Sequence, residues 1–571
     1  MARQSVRWGR ACRALVIVGV GVVASPALLS TTAFAADAPK GTIKVQKDVW
    51  GDTRADAVSK DYSGRYDAAR DPGSLFNVTT AIGAREVWKQ TDASGRSITG
   101  RGVTVALLDS GLAPVSGLDG ADKVVQGPDL SLEAGSEGLR GLDTFGHGTH
   151  LGAIIGGADP VDRDSKTGAP KPKETGQLLG VAPDAGLLSL KLATANGSTD
   201  VSQVIAGLDW ISQHAEDQGM NVRVVNLAFG TDSLQPYQLD PLAAAAENAW
   251  HHGIVVVVSG GNEGQDAGRL TDPAMDPYVI AVGAADPQLR VDGWKSPVVA
   301  DFSNSGSEQR HVDLIAPGKS ITSLRDPGSF VDVHHPEGLV EGDETGRLFR
   351  GSGTSQAAAV VSGAAALMLQ ANPTLTPDQV KAALIATARP VKDISPLLQG
   401  AGELDVQAAV KVSRPPASGA VPAAMQRYAV ASGAGSLEAA RGGSNLVGPS
   451  GEVLAGELDV QGNPFDSARW STASAAGASW SGGTWNGARW SGDGWDSARW
   501  SDAAWLSARW SSARWSSARW SAAGWEAANW DSARWSSARW SDASWASSDW
   551  DSARWSSARW SSARWSSARW S

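Results

Sequence analysis

Short apolar runs, separated by longer amphipathic stretches, dominate the chain from Phe76 to about residue 409. Five runs, at 103–108, 187–192, 222–227, 254–258 and 279–282, have the length of a buried strand, and as a set they are rich in β-branched residues. The stretch 200–215 between two of them carries apolar residues at helical spacing, namely Val201, Val204, Ile205, Leu208 and Ile211. Strands that alternate with helices predict an α/β fold, with a mostly parallel central sheet and helices on both faces.

A different pattern occurs at 351–369, where a turn of small residues runs directly into an alanine-rich apolar helix. Ser355 lies at the start of that helix, where alanine would pack equally well. A helix N-terminus carries unpaired backbone N–H groups and a partial positive charge, which suit a site where negative charge develops on oxygen. We therefore expect the Ser355 hydroxyl to have a chemical role.

Three further polar residues follow apolar runs or begin helices. Asp109 directly follows the first run, Asn262 lies in a glycine-rich turn after the fourth, and His147 precedes a small-residue helix. In parallel sheets, catalytic groups gather at the carboxyl ends of the strands. A serine becomes a nucleophile when an imidazole removes its proton and a carboxylate orients that imidazole. Asn262 and the Ser355 backbone N–H could then donate hydrogen bonds to the oxyanion.

Each of these residues also has a structural interpretation when it is taken alone. Asp109 could be a turn residue, His147 a satisfied histidine at a helix start, Ser355 a helix cap, and Asn262 part of an Asx turn. All four together, at strand ends and helix starts of one α/β chain, favour the catalytic interpretation.

Four motifs carry a resemblance to a known family. They are Asp109-Ser110-Gly111, His147-Gly148-Thr149-His150, Gly261-Asn262-Glu263-Gly264 and Gly353-Thr354-Ser355. With them, the segment from about Phe76 to Ala409 resembles a subtilase, a subtilisin-like serine peptidase. The resemblance implies a subtilisin-like fold, protein or peptide substrates, and a catalytic triad of Asp109, His147 and Ser355 with Asn262 in the oxyanion hole.

The resemblance also implies where the substrate binds. Ala228, Phe229 and Gly230 would form one wall of the primary specificity pocket, with Gly260 and Gly261 opposite. The reaction requires no cofactor. Family members often hold structural calcium, but no carboxylate loop here matches a calcium spacing, so we assign no metal.

Two residues beside the serine depart from the family pattern. Gln356 stands where the family usually has Met, and Ala359 where it usually has Pro. Without proline, the backbone φ angle at the start of the helix is less restricted to the helical value. Gln356 puts a polar side chain beside the predicted nucleophile. We expect neither change to abolish activity, because the triad and the oxyanion donor are retained.

The N-terminal residues 1–35 are predicted to be a secretory signal peptide. Arginines precede an apolar stretch from Ala14 to about Leu29, and Ala33-Phe34-Ala35 forms a cleavage site. An uncleaved membrane anchor is the alternative, which the short apolar stretch and Pro26 disfavour. We therefore expect a secreted protein, extracellular or associated with the cell surface, with no membrane span in the mature chain.

Composition adds two exclusions. The formal net charge of −10 argues against a nucleic-acid partner. The single cysteine, Cys12, lies within the predicted signal peptide, so the chain forms no internal disulfide.

Five segments are predicted along the chain. The signal peptide is followed by a short pro-segment or leader (36–75), the peptidase domain (76–412), a Pro/Gly/Ala-rich linker with some structure (413–466) and a tryptophan repeat (467–571). The repeat unit is Ser-Ala-Arg-Trp-Ser, with tryptophan at every fifth position from Trp480 to Trp570. A period of five fits neither a helix nor a strand, but it fits a pentapeptide-repeat β-helix; low-complexity disorder is the alternative.

The sequence allows two functions for the tryptophan repeat and two for the chain as a whole. Exposed indoles beside arginines could stack on cell-wall polymers or other carbohydrates and tether the enzyme; a spacer or a stabilising cap is the alternative. The whole chain is predicted to be a secreted serine endopeptidase. The alternative is a non-catalytic surface-binding protein built on a protease-like domain, and the intact triad favours the enzyme.

Overall fold

The structure, a computed structural model, describes most of the chain between residues 65 and 489. Within that range it omits 121–122, 288, 291–292, 295–297, 415–420, 422, 448–451 and 482, and beyond it only 514–516, 519–520, 534–536, 539–540 and 554–556 are described. The predicted signal peptide and most of the predicted leader lie outside these residues.

The longer strands belong to one central sheet. The strands of the peptidase region are β1 Thr104–Asp109, β2 Val124–Asp129, β3 Asp162–Arg163, β4 Pro170–Lys171, β5 Gly186–Lys191, β6 Val222–Leu227, β7 Val255–Ser259, β8 Ile280–Asp286, β9 Leu289–Arg290, β10 Gly293–Trp294, β11 Val298–Val299, β12 Leu314–Pro317, β13 Ile321–Leu324 and β14 Leu348–Gly351. The sheet has the order β11-β8-β7-β6-β1-β5-β2, with β12 also paired to β8. Its pairs are parallel except β11 with β8.

These strands confirm the prediction of an α/β fold with a mostly parallel sheet. Each of the five apolar runs in the sequence forms one of its strands. Every residue of β7 is buried, which requires that both faces of the sheet be covered.

The helices are α1 Leu75–Ala81, α2 Ala84–Trp88, α3 His147–Gly156, α4 Val201–His214, α5 Pro241–His251, α6 Phe330–His334, α7 Thr354–Ala371, α8 Pro377–Thr387, α9 Pro396–Gln399, α10 Val406–Ser413, α11 Leu437–Arg441 and α12 Ser467–Ala475. Asp200 caps the N-terminus of α4 and forms a capping box with Gln203. The amphipathic stretch predicted from residue 200 is therefore a helix that begins directly after Asp200. None of the helices among the described residues is long and apolar enough to cross a membrane.

Helix α7 occupies the centre of the core. It packs against β1, β6, β7, β8 and β12 as well as α3, and its residues from Thr354 to Gln370 are buried. Small side chains allow this close approach: a Cβ on Gly363 would lie 2.6 Å from the Cβ of Val181. The alanine-rich composition of α7 is therefore a packing requirement, and the N-terminal end of this helix carries Ser355.

The described residues that follow the peptidase region form α11, α12 and three short strands. These strands are β15 Trp480–Ser481, β16 Thr484–Trp485 and β17 Ala488–Arg489. The buried side chains of β15 and β16, together with those of α11 and α12, belong to the same hydrophobic core as the central sheet.

Short parallel strands recur in the described parts of the tryptophan repeat. They are β18 Arg514–Ser516, β19 Arg519–Trp520, β20 Arg534–Ser536, β21 Arg539–Trp540 and β22 Arg554–Ser556. Arg514 pairs with Arg534 and Arg534 with Arg554, so each pairing advances the chain by four pentapeptide units. The β-helix and disorder alternatives for the whole repeat stay predictions, because most of it lies outside the described residues.

Candidate active site

Asp109 and His147 are in direct contact. Asp109 is the last residue of β1, and His147 is the first residue of α3. His147 Nδ1 lies 2.8 Å from Asp109 Oδ1 and 2.9 Å from Oδ2, and the histidine side chain has no solvent exposure. A carboxylate at Nδ1 favours the tautomer that leaves Nε2 able to accept a proton.

A hydroxyl and a second carboxylate hold this pair. Ser110 Oγ lies 3.1 Å from Asp109 Oδ1 and 2.7 Å from Asp143 Oδ1, and it accepts a hydrogen bond from the Gly148 N–H at 3.0 Å. Asp143 also accepts hydrogen bonds from the N–H groups of Gly146 and Thr149, each at 2.7 Å. Asp143 therefore links the start of α3 to the end of β1.

Gly148 allows α3 to approach the turn after β1. A Cβ at this position would lie 2.1 Å from the carbonyl oxygen of Gly111, so any side chain would push the two segments apart. Gly111 itself has φ 112°, a backbone conformation that favours glycine. The glycines of the aspartate and histidine motifs are thus required by the contact between them.

Ser355 lies at the N-terminal end of α7, which packs against α3. Its Oγ is buried and has no hydrogen-bond partner among the described residues. The structure thus brings together the helices that begin near His147 and Ser355, without a hydrogen bond from the Ser355 hydroxyl. Such bonds are often long in unliganded sites and tighten when substrate binds.

Asn262 is oriented by the residue that precedes the serine. Its Oδ1 accepts hydrogen bonds from the Thr354 N–H and the Thr354 hydroxyl, each at 2.9 Å. Its Nδ2 is buried and has no hydrogen-bond partner among the described residues. Because the oxygen is occupied, the carboxamide presents an unused N–H donor beside the start of α7.

Asn304 in turn fixes the turn that carries Asn262. Its Oδ1 accepts from the Glu263 N–H at 2.6 Å, and its Nδ2 donates to Glu263 Oε2 at 2.7 Å and to the Arg269 carbonyl at 3.1 Å. A Cβ on Gly261, which has φ 120°, would lie 2.3 Å from Asn304 Nδ2. Gly261 is therefore needed for the turn to close on Asn304.

The residues predicted to form the specificity pocket follow β6 and β7. Ala228, Phe229 and Gly230 are buried, and Phe229 retains 4% exposure. Gly260 donates its N–H to the Val282 carbonyl, and its own carbonyl accepts from the Thr271 N–H. The Gly260 main chain is thus engaged within the fold, and the predicted pocket stays a prediction.

Gln356 and Ala359, the two departures from the family pattern, are fully buried in α7. Neither amide atom of Gln356 has a hydrogen-bond partner among the described residues. Burial of an amide without partners destabilises the fold, so Gln356 is an energetically costly residue beside the serine.

His150 lies on α3, three residues after His147. Burial and the nearby His147 lower the pKa of His150 to about 3, so it stays neutral at ordinary pH. As for metals, no group of three or more His, Cys, Asp or Glu side chains in the described part of the chain could hold an ion.

Three residues that support this site are absent from the candidate residues that the sequence supplies. They are Asp143, Thr354 and Asn304, which act through contacts with other segments. Asp143 lies four residues before His147, and Thr354 lies directly before Ser355. Their proximity to candidate residues in the sequence could have identified both as supporting residues.

Comparison with known proteins decides the family. The sequence profile described as "Subtilase family" matches residues 100–402, more than half of the chain. The chain belongs to the subtilase family. Serine protease AprX of Bacillus subtilis (strain 168) is 34% identical over 342 residues, covering 59% of this chain and 71% of the relative.

Two further relatives are each similar to about half of the chain. Subtilisin Savinase of Lederbergia lenta is 30% identical over 323 residues, covering 56% of this subtilase and 94% of the relative. The Extracellular serine proteinase of Thermus sp. (strain Rt41A) is 33% identical over 292 residues, covering 51% of this subtilase and 56% of the relative. This subtilase is therefore a serine-type endopeptidase, a hydrolase.

Proposed function

We propose that the peptidase uses Ser355 as its nucleophile, His147 as its general base and Asp109 as the carboxylate that orients the base. In the first step, His147 Nε2 removes the Ser355 hydroxyl proton as Oγ attacks the scissile carbonyl carbon. The carbonyl oxygen becomes an oxyanion. It receives hydrogen bonds from Asn262 Nδ2 and from the Ser355 backbone N–H, aided by the partial positive charge at the α7 N-terminus.

The tetrahedral intermediate then collapses. The C–N bond breaks, His147 gives its proton to the leaving amine, and an acyl-enzyme on Ser355 remains. Water attacks this ester with His147 again as base, and breakdown of the second intermediate releases the acid and restores the Ser355 hydroxyl. We propose no cofactor, because the nucleophile, the base and the oxyanion donors are all groups of this chain.

The contact of His147 Nδ1 with both oxygens of Asp109 carries this proposal. A buried carboxylate on one imidazole nitrogen is the arrangement that prepares the other nitrogen to accept a proton. The orientation of Asn262 by Thr354 supports the oxyanion role independently, because it leaves the donor atom unused.

Covalent labelling tests the assignment. We expect a fluorophosphonate probe to label the wild-type protein at Ser355, identified by mass spectrometry of the labelled peptide. Labelling should disappear in Ser355→Ala and become much slower in His147→Ala. A label on another serine would contradict the assignment of Ser355 as the nucleophile, and wild-type protein that stays unlabelled would favour the non-catalytic binding protein.

For the substrate, we propose that a protein chain binds along Ala228–Phe229–Gly230 and Gly260–Gly261. The small residues in these segments leave room for a large side chain before the cleaved bond. Sequencing of products from a peptide library tests this, since a broad preference for small or charged residues at that position would contradict it.

We further propose that the protein is secreted. The predicted signal peptide, 1–35, supports this, as does the name of the Thermus relative, an extracellular serine proteinase. N-terminal sequencing of protein from the culture medium tests it. A mature N-terminus within the first 35 residues, or protein confined to the cells, would contradict it.

Finally, we propose that the distal repeat tethers the enzyme to the cell surface. From Trp490 onward a tryptophan recurs at every fifth residue, and many of these tryptophans directly follow an arginine, a composition suited to stacking on carbohydrates. Deletion of residues 490–571 should shift the enzyme from the wall fraction to the medium, and unchanged partitioning would remove the proposal.

A further inference from the structure

Helix α4 carries a buried carboxylate in the middle of its length. Asp209 is 1% exposed and is surrounded by the core rather than by solvent. A buried carboxylate is costly unless donors fill its lone pairs. Among the described residues, the side chains that donate hydrogen bonds to Asp209 come from one distant part of the chain, residues 470–485.

Two tryptophans share one oxygen of Asp209. Trp470 Nε1 donates to Oδ2 at 2.8 Å and Trp485 Nε1 donates to the same atom at 2.7 Å, while Ser474 Oγ donates to Oδ1 at 2.5 Å. An indole N–H is a donor only, and a carboxylate is an acceptor only, so the two groups match chemically. Phe465 lies beside both indoles, 5.6 Å from Trp470 and 5.9 Å from Trp485 between ring centroids.

A third tryptophan contacts the same helix. Trp480 Nε1 donates to the Ala206 carbonyl at 2.8 Å, and Gln213 accepts from the Trp480 N–H at 2.8 Å while donating to the Gly477 carbonyl at 2.7 Å. Trp470, Trp480 and Trp485 are exposed by 5%, 6% and 0%. The expectation of a ladder of exposed indoles therefore does not hold for these three, because they are packed into the core.

The start of α4 is held by the same C-terminal region. Arg441 forms an ion pair with Asp200 at 2.7 Å, with neither side chain exposed, and also donates to the carbonyls of Gly456 and Leu458. The Val460 N–H donates to Ser202 Oγ at 2.9 Å. Breaking a buried ion pair by removing one partner is strongly destabilising, so this region contributes to the stability of α4.

From these contacts we propose that Asp209 is an indole-anchoring site, which fixes the first units of the tryptophan repeat to α4 and makes residues 437–489 a required part of the folded peptidase. The anchored unit Ser467-Ala468-Arg469-Trp470-Ser471 has the repeat's consensus sequence, which next recurs at 497–501. The anchor stands independently of the triad, and it gives the distal repeat a rigid point of departure from the enzyme.

Limited proteolysis of the full chain tests the proposal. The protein carries Ser355→Ala to prevent self-digestion, trypsin is added, and intact mass gives the C-terminus of the resistant core. The expected core ends at or beyond Arg489. A core that ends at Arg414 or Arg427 would show that the C-terminal region is a removable linker and would overturn the proposal.

Variants separate the anchor from general stability. In Trp485→Phe an aromatic ring remains, but the indole N–H and part of the buried ring volume are lost. We therefore expect cleavage after Arg441 or Arg469 to be at least about 10- to 100-fold faster, the effect of one hydrogen bond to a charged group, with the lost packing adding to it. Glu216→Ala, an exposed acid just beyond α4, is the matched control and should match the parent.

Asp209→Ala removes the acceptor for all three donors. We expect its resistant core to end before Arg469, or to be lost altogether if α4 cannot stay folded; either result supports the anchor when Trp485→Phe is also cut faster than Glu216→Ala. Equal cleavage rates of Trp485→Phe and Glu216→Ala, or an Asp209→Ala core that still ends at Arg489, would overturn it.

Discussion

Thr354 donates two hydrogen bonds to one oxygen of Asn262, one from its backbone N–H and one from its hydroxyl, each at 2.9 Å. This fixes which end of the carboxamide faces the start of α7. Thr354 thus orients Asn262, the proposed oxyanion donor. Because Thr354 directly precedes Ser355, the same turn positions both the proposed nucleophile and the proposed donor.

The first prediction concerns that donor. Asn262→Ala should lower kcat by about 10² to 10³, a magnitude established on subtilisin itself, with little change in KM, because the bond forms in the transition state. Thr354→Val should lower kcat by up to about 10-fold through loss of one orienting bond, and Thr354→Ser should restore it. Steady-state kinetics on a chromogenic peptide measure all three, and an unchanged kcat in Asn262→Ala would exclude the role.

The second prediction concerns Asp143. Asp143→Asn should lower kcat by about 10- to 100-fold while KM stays near that of the wild type, because the start of α3 and hence His147 would shift relative to Asp109. Asp162→Asn, a change at an exposed carboxylate on β3, is the control.

A double-mutant cycle with Ser110→Ala separates positioning from stability. Since Ser110 Oγ lies 2.7 Å from Asp143 Oδ1, the two losses in kcat should not add. Additive losses, or a variant that changes only the unfolding midpoint, would show that Asp143 has a structural role alone.

The third prediction concerns two glutamines of α7. Gln356→Met should raise the free energy of unfolding by about 1–3 kcal/mol, because it removes a buried amide whose atoms have no hydrogen-bond partner among the described residues. Gln370→Met is the matched comparison and should lower the free energy of unfolding. Gln370 Oε1 accepts hydrogen bonds from the N–H groups of Thr99, Gly100 and Arg101, and the substitution would leave these donors without that acceptor. Denaturant unfolding in the Ser355→Ala background measures both, and a less stable Gln356→Met protein would contradict the account.

The fourth prediction concerns pH. Burial, with the neighbouring Asp276, raises the pKa of Glu247 to about 8, and burial raises the pKa of Asp276 to about 7. The folded protein therefore keeps protons that the unfolded chain has already lost. The stability from this pair is complete below about pH 3.8, the lower of the two ordinary pKa values, and is lost as pH rises through about 7 and about 8.

The melting temperature should accordingly fall between pH 6 and pH 9. Glu247→Gln removes one of the two titrating carboxyl groups, so the melting temperature should depend less steeply on pH. The glutamine oxygen can still accept the hydrogen bond from the Ala431 N–H. Thermal melts of the Ser355→Ala protein check this, and a variant with the same pH slope as its parent would show that the carboxyl pair does not control it.

The sequence predicted the sheet because its strands are apolar runs of strand length, separated by amphipathic stretches. It also supplied Asp109, His147, Asn262 and Ser355 as candidates, because each lies at a strand end or a helix start within a short local motif. Local pattern suffices when the residue and its structural signal are neighbours in the chain.

The contacts between segments far apart in the chain could not be predicted in this way. Asn304 acts on a turn 41 residues away, and Trp470 reaches Asp209 across 261 residues. Nothing in the local sequence of α4 marks Asp209 as buried, because its partners arrive from beyond the peptidase region. The regular spacing of the repeat suggested exposed indoles, and tertiary packing overrode that pattern for its first units.

The central claim is that Ser355 is the nucleophile, and the turnover of one variant tests it most directly. Peptide hydrolysis by purified Ser355→Ala should fall by about 10⁶, the loss known for the serine of subtilisin, while its unfolding midpoint stays near that of the wild type. Ser362→Ala, a second buried serine on the same helix, is the control and should remain within about 10-fold of wild type. A Ser355→Ala protein that hydrolyses peptide at the rate of the Ser362→Ala control would contradict the account.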